Sequence, residues 1–381
     1  MKISILYNKF LDIYGKDQVV GGVETYLDNL AKLCVTLNYD VTIYQWSKTY
    51  FENKNNGYLI KGIPLFDTKK NTRNRKLFNY VESEINLSKD VIIFGADHVS
   101  VPTINDKHIS IQHGISWDLP VEFMSTRKLV KYGVFSNLLK KRAVNYYKKC
   151  FENCLNTVCV DYNFLNWYRT TVPSIPENYN TWVIPNFSNI ASHKIIENRS
   201  YKNNKISILF ARRFVKMRGT NNFAEVLKIL LDKYSNIECT LAGEGPEESY
   251  LRAMFFNEER VSFIKYYPDQ SLDVHLRHDI AVIPSLASEG TSLSVAEAMA
   301  AGCSVVATAV GGITNMIIDG YNGILTSPNT SSLRDGIERL LDNSQLRRDI
   351  SIRAYDTAKN AFSMEKWQHS WKKVLEEVAC D

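Results

Sequence analysis

The feature that most limits what this chain can fold into is an alternation of short apolar runs with helical patterns, repeated twice and broken once by a polar stretch. In the first half, residues 3–7, 41–46, 91–95, 109–112, 157–161 and 183–186 read as strands, with a helix over 24–34. Residues 188–205, rich in Asn, Ser and Lys, read as a linker. The pattern then restarts, with strands over 206–210, 237–242, 261–264, 280–283 and 305–307 and a helix over 222–233. Strands interleaved with helices build mostly parallel sheets covered on both faces. The expected fold is therefore α/β: two doubly wound, Rossmann-like domains, 1–190 and 200–362, facing across a cleft. Ligands of such sheets sit beyond the carboxyl ends of the strands, so both domains should offer loops to one site.

A length of 381 residues accommodates two ordinary domains. The net charge of +5 is too mild for bulk nucleic-acid binding, though it permits a local basic face. Seven cysteines are scattered without a Cys-x-x-Cys pair or zinc-like spacing, which favours free thiols in a reducing cytosol. The opening MKISILYN passes directly into an apolar strand and has no secretion-signal pattern. No apolar run reaches the roughly 18 residues needed to span a bilayer.

The segment 285–302, SLASEGTSLSVAEAMAAG, carries the densest chemistry. Glu289-Gly290 reads as a turn and Ser292 as a helix cap. Leu293, Ala296, Met299 and Ala300 recur at helical spacing, and Gly302 ends the helix. On a single helix, eight residues would separate Glu289 and Glu297 by about 12 Å. Placing Glu289 on the loop and Glu297 in the helix lets them serve different parts of one ligand. The amides at such a helix start attract phosphate.

After the strand at 206–210, Arg212, Arg213, Lys216 and Arg218 fall within seven residues and are followed by Gly219. Guanidinium forks match phosphate oxygens; the competing reading is an ordinary solvated loop. Gly243-Glu244-Gly245-Pro246 follows another strand, and Gly21-Gly22-Val23-Glu24 lies between the first strand and helix. Neither has the third glycine of a dinucleotide fingerprint, which argues against an NAD oxidoreductase. His113 follows a strand end, and His98 has a weaker claim of the same kind. The chain holds no Asp-x-Asp pair, so fixed cations and helix amides, and no metal, are expected to hold a diphosphate.

Together these motifs resemble the family 4 retaining glycosyltransferases of the GT-B architecture. Glu289 and Glu297 match the family's E-x7-E signature, followed by Val310-Gly311-Gly312. Residues 213–219 resemble its Arg…Lys-Gly phosphate loop, 243–246 its Gly-x-Gly-Pro turn, 21–24 its GGxE loop and His113 its active-site histidine. Counted from Arg213, the family's lysine position falls on Arg218, with Lys216 two residues earlier; either could meet the leaving phosphate. Lys265-Tyr266-Tyr267 stands where the family often has Gly near the nucleotide base.

The resemblance implies metal-independent, retaining transfer of a hexose-type sugar from a nucleoside-diphosphate sugar to a glycan or lipid-linked acceptor, in cell-surface polysaccharide or lipopolysaccharide biosynthesis. It implies His113, Glu289, Arg213 and Arg218 as catalytic residues. Gly21, Gly22, Lys216, Gly243, Glu244, Gly290, Thr291, Ser292, Leu293 and Glu297 would bind the donor. The first domain would bind acceptor and the second the nucleotide sugar. Residues 363–381, with Trp367, Trp371, Val374, Leu375 and Val378 at helical spacing, would form a helix crossing back to the first domain.

Residues 123–151 hold eight Lys and Arg and no acidic residue, interleaved with apolar positions. Such a segment suits an anionic membrane surface or a lipid-diphosphate acceptor at the inner face of the cell membrane; the alternative is a solvated helix face. Two other functions stay open: a nucleotide-sugar epimerase or other enzyme of the same architecture, and a non-catalytic glycan- or membrane-binding scaffold.

Overall fold

A computed structural model describes residues 1–17, 19, 21–69, 72–115, 117–118, 136–172, 174, 177–197, 205–287 and 289–380. The chain divides into two compact units: Met1–His113 with Asn137–Ile184 and Gln368–Asp381, and Gly114–Ser136 with Pro185–Trp367.

The first unit is built on strands β1 (Lys2–Leu6), β2 (Asp40–Ser47), β3 (Phe51–Asn55), β4 (Tyr58–Pro64), β5 (Val91–Phe94), β6 (His108–Gln112), β7 (Asn156–Cys159) and β8 (Asn180–Val183). Their order in the sheet is β3-β4-β2-β1-β5-β6-β7-β8. Every neighbouring pair is parallel except β3 with β4. β1 continues to β2 on one side while β5 lies on the other, so the order reverses between β1 and β5, where ligands of such sheets bind. The Gly22–Thr36 helix buries Tyr26, Leu27, Leu30 and Ala31, and the Arg73–Glu82 helix buries Leu77, Phe78 and Val81. Apolar cover on both faces explains why β5 is an unbroken VIIF run rather than an alternating one.

The second unit carries β9 (Ile206–Ala211), β10 (Ile237–Ala242), β11 (Val261–Ile264), β12 (Ile280–Ile283), β13 (Ser304–Thr308) and β14 (Ile324–Thr326). Their order is β11-β10-β9-β12-β13-β14, parallel throughout. Here the reversal falls between β9 and β12. The Thr220–Lys233 helix closes one face through Phe223, Val226, Leu227 and Leu230, all fully buried.

Three sequence expectations change. The hairpin β3–β4 was not expected, because FENKN is a polar edge strand. Its signal was the Asn56-Gly57 turn, where both residues take positive φ (46° and 90°). The strand expected over 183–186 ends at Val183, since Pro185 has no amide to continue the ladder. The expected linker is not free over its first half. Ser188 bridges Ser363, the Ala191 amide donates to the Ala300 carbonyl at 3.2 Å, and Ile196 in the His193–Glu197 helix is buried. The units therefore divide between Ile184 and Pro185.

The Met364–Cys380 helix belongs to both units. Trp367 packs on Phe187 in the second unit, with ring centroids 4.3 Å apart. Beyond it, Trp371, Val374, Leu375 and Val378 are buried in the first. Lys107 Nζ donates to the Val378 and Ala379 carbonyls (3.3 and 3.4 Å), meeting the acceptors left at a helix end. Cys34, Cys150, Cys154, Cys159, Cys239 and Cys303 are buried outside any disulfide. No helix among the described residues is long and apolar enough to cross a membrane.

Candidate active site

In the second unit, the loops leaving β9 and β12 meet at the reversal of strand order. The Arg212 amide still pairs with the Ala242 carbonyl at 3.0 Å, so the chain stays extended one residue past β9. Alternation then turns Arg212 inward and Arg213 out to solvent, while Phe214 is buried. A single turn at Lys216–Arg218 follows, closed by Gly219 at φ 74°. A Cβ at Gly219 would lie 1.8 Å from the Pro284 carbonyl oxygen, so only glycine fits. The Leu286 amide donates to the Met217 carbonyl at 3.0 Å and ties the two loops together.

Glu289 is the centre of this cluster. Arg212 Nη2 donates to its Oε1 at 2.5 Å, Ser285 Oγ does so at 2.5 Å, and Arg218 Nη1 donates to the same oxygen. Arg212 Nη1 also donates to Ser285 Oγ at 2.5 Å. Burial raises the Glu289 pKa, but the Arg212 and Arg218 charges and the Ser285 hydroxyl outweigh it and hold the group below the ordinary glutamate value. Glu289 is thus an anion between two cations at neutral pH.

Glu297 lies just over one turn into the Leu293–Ala300 helix and is half-buried. Burial pushes its pKa up to about 7, against the opposing pull of the Ser271 hydroxyl and the Arg212 charge. Tyr266 packs on Leu209, Ala211, Ala242 and Val274 around the ends of β9 and β10. Burial and the neighbouring Glu297 raise the pKa of its phenol, which Arg212 opposes. The Arg212 charge therefore pairs with Glu289 and also favours the ionised forms of Glu297 and Tyr266.

The other expected donor residues are placed as follows. Lys216 and Arg213 are exposed, and Arg212 and Arg218 supply the cations at Glu289. Gly243 serves backbone packing: a Cβ there would meet the Arg212 carbonyl oxygen at 2.1 Å. Glu244 pairs with Lys265 at 2.9 Å on the surface. Gly290 and Thr291 continue the Glu289 loop, and Thr291 Oγ1 accepts from the Asn186 amide at 2.9 Å. Ser292 occupies the cap position without a side-chain cap bond, and its amide donates to Met316 Sδ at 3.1 Å. Leu293 opens the helix. The sequence reading did not select Arg212, Ser285, Tyr266 or Ser271. Arg212, Ser285 and Tyr266 lay inside stretches already quoted, but alternation beyond a strand end was the only clue to which arginine turns inward.

In the first unit, Gly21 caps the Gly22–Thr36 helix, and the Glu24 carboxylate folds over it, so a Cβ at Gly21 would lie 2.2 Å from Glu24 Oε2. The Tyr7 hydroxyl donates to Glu24 Oε1 at 3.3 Å. His113 Nε2 meets the Gly95 carbonyl at 2.9 Å. A carbonyl only accepts, so Nε2 carries the proton and Nδ1 is the acceptor. Burial lowers the His113 pKa to about 4, despite the opposing Gly95 carbonyl and Asp97, leaving a neutral ring at physiological pH. His98 Nε2 meets Asn8 Nδ2 at 2.9 Å.

Of the basic segment, the Ser136–Phe151 helix is described and residues 123–135 lie outside the described residues. Lys141, Arg142 and Lys149 are exposed on that helix together with Leu138 and Tyr146. A shallow pocket there is lined by Asn137, Lys140, Lys141, Val144 and Asn145. Among the described residues, no group of three His, Cys, Asp or Glu side chains is arranged to hold a metal.

Residues 192–357 match the family described as glycosyl transferases group 1. That segment, less than half of the chain, is similar to this group of glycosyltransferases. An uncharacterized glycosyltransferase of Methanocaldococcus jannaschii is 25% identical over 384 aligned residues, covering 94% of this chain and 95% of the relative. The chain has the GT-B fold. WaaG, a glycosyltransferase involved in lipopolysaccharide biosynthesis, superposes with a TM-score of 0.71 at 14% identity, covering 98% of this chain and 99% of that one. Anabaena HepE in complex with UDP-glucose gives 0.69 at 17% identity, covering 99% and 100%.

Proposed function

We propose that this protein is a glycosyltransferase that moves a hexose-type sugar from a nucleoside-diphosphate sugar to a glycan or lipid-linked acceptor, with retention and without a metal, in cell-surface polysaccharide or lipopolysaccharide assembly. The observation that carries this reading is Glu289, held by Arg212, Arg218 and Ser285 through one oxygen, beside Glu297 and Tyr266. Two fixed cations stabilise the charge that develops on a departing diphosphate, as preorganised dipoles and charges do in other transfer reactions. Oε2 of Glu289, which none of the three donors engages, accepts a hydroxyl of the donor sugar. Glu297 accepts from the ribose diol. The acceptor hydroxyl attacks on the face the diphosphate leaves, through an oxocarbenium-like state. His113, neutral and presenting Nδ1 as an acceptor, binds the transferred sugar and is not a proton donor at pH 7. The complex of HepE with UDP-glucose and the pathway of WaaG support the donor class and the setting.

The exposed Lys and Arg of the Ser136–Phe151 helix support a working position at an anionic membrane surface, on the cytoplasmic face. The decisive experiment measures nucleoside diphosphate release from a panel of UDP, GDP and ADP sugars, with and without lipid-extract acceptor, in excess chelator. Acceptor-dependent release in chelator, with the α-anomer conserved in the product by NMR, is the expected result. Inversion, or activity recovered only with a divalent metal, overturns the mechanism.

A further inference from the structure

His113 hangs from its backbone by a torsion between sp³ and sp² carbons, and such torsions have broad, shallow wells. The Gly95 carbonyl anchors one ring atom at 2.9 Å, which leaves the tilt of the ring about that anchor unset. The tilt is set from behind. Tyr26, 1% exposed on the Gly22–Thr36 helix, stands against the imidazole at 5.2 Å between centroids with an 89° interplanar angle. Tyr26 is itself held by the terminal helix. Trp371 Nε1 donates to the Tyr26 hydroxyl at 2.7 Å, and the two rings meet edge-on at 6.3 Å and 71°. Trp371 is fully buried, so the bond is shielded from water.

Each link has a chemical direction. The indole can only donate, so the phenol oxygen accepts from Trp371 and its own proton points away from the indole. The edge-to-face contact between phenol and imidazole is worth roughly 0.5–1.5 kcal/mol beyond burial, but its geometric effect is the larger one. A perpendicular ring blocks rocking about the bond to Gly95.

We infer that Tyr26 and Trp371 are positioning residues for His113: a buried indole–phenol–imidazole stack through which the terminal helix holds the orientation of Nδ1. This rests on the role given to His113 under the proposed function. Neither residue touches substrate in this scheme. A stack of apolar rings also suits a histidine that must remain neutral, because it adds no charge to raise the imidazole pKa.

The test uses Trp371→Phe and Tyr26→Phe in the full chain. The first removes the indole donor and the second the phenol oxygen, while a ring stays in place. Turnover is read as nucleoside diphosphate release from the most active sugar nucleotide of the panel, alone and in a His113→Ala background. Roughly a tenfold fall in kcat with donor KM within twofold is expected for each variant, because small misplacements of a reacting group are costly. In the His113→Ala background the same substitutions should cost nothing further. The His113 imidazole resonances, identified by their loss in His113→Ala, should shift in both variants. If Trp371→Phe does not fold, Tyr26→Phe carries the same readouts. Losses that add fully to that of His113→Ala, or unmoved His113 resonances, overturn the inference and leave the rings as core packing. Wild-type turnover in His113→Ala alone overturns the role of His113 itself, a failure separable from that of the stack.

Discussion

The carboxyl-edge loops of the two units solve the same problem by opposite means. In the second unit they hold charge: two buried or half-buried arginines compensate Glu289, and burial pushes the Glu297 pKa up to about 7 against the pull of the Arg212 charge. In the first they hold almost none at the key position: His113 is neutral, anchored by a backbone carbonyl and an aromatic ring. Under the proposed function, the charge cluster is the part assigned to the diphosphate that nucleotide sugars share, and the neutral edge the part that varies between transferases. The family match follows the same division, since it covers residues 192–357 and so falls on the second unit.

The largest effect expected is at Glu289. Glu289→Gln should lower kcat/KM by about 10²–10³, the cost of losing one preorganised electrostatic partner. Glu289→Ala should also weaken the fold by ~3–5 kcal/mol in denaturant titration, because it leaves the buried Arg212 without its counter-charge. Near-normal turnover in Glu289→Gln would end the contrast between a charged and a neutral edge. The folded-state pKa of Glu289 is depressed, so its contribution to stability is full at neutral pH. It should fade as pH falls below the ordinary glutamate value, and Glu289→Gln should flatten that acid limb.

Gly219→Ala comes next. The left-handed φ and the approach to Pro284 should cost ~1–3 kcal/mol of stability and pull the arginine turn out of place. A smaller effect is expected from Glu297. Its raised pKa makes the carboxylate, the form that accepts from a diol, gain population as pH rises through about 7. Donor KM should therefore fall from pH 6 to pH 8, and Glu297→Gln should remove the dependence. No step near pH 6.5 should be traceable to His113, whose pKa lies at about 4. The smallest effect separates two adjacent arginines. Arg213→Ala should change stability by less than ~0.5 kcal/mol, as exposed positions do, and leave kcat/KM within a few-fold. Arg212→Met should lose activity approaching the loss in Glu289→Gln, far more than Arg213→Ala. Equal losses from the two would refute the assignment of Arg212 as the inward cation.

Much of the fold could be read in advance, because a parallel strand buried on both faces is a short, unbroken apolar run that few other structures produce. β10, β11 and β12 fall on the residues the pattern marked. The pattern is silent where burial is one-sided or brief, as in polar β3 and three-residue β14. The separation of Glu289 onto a loop and Glu297 into a helix was also legible, since helical rise alone forbids a shared helix position for both.

What the sequence by itself determined is the set of chemical groups at each strand end, since spacing along the chain assigns them to loops. What only the tertiary structure decided is which groups meet. Arg212 and Arg213 are neighbours with the same charge, and one extended residue past β9 sends one to Glu289 and the other to solvent. Trp371 and Tyr26 are 345 positions apart, and no local periodicity joins them. Short-range sterics set direction along the chain, whereas such meetings depend on how strand ends and a returning helix pack together.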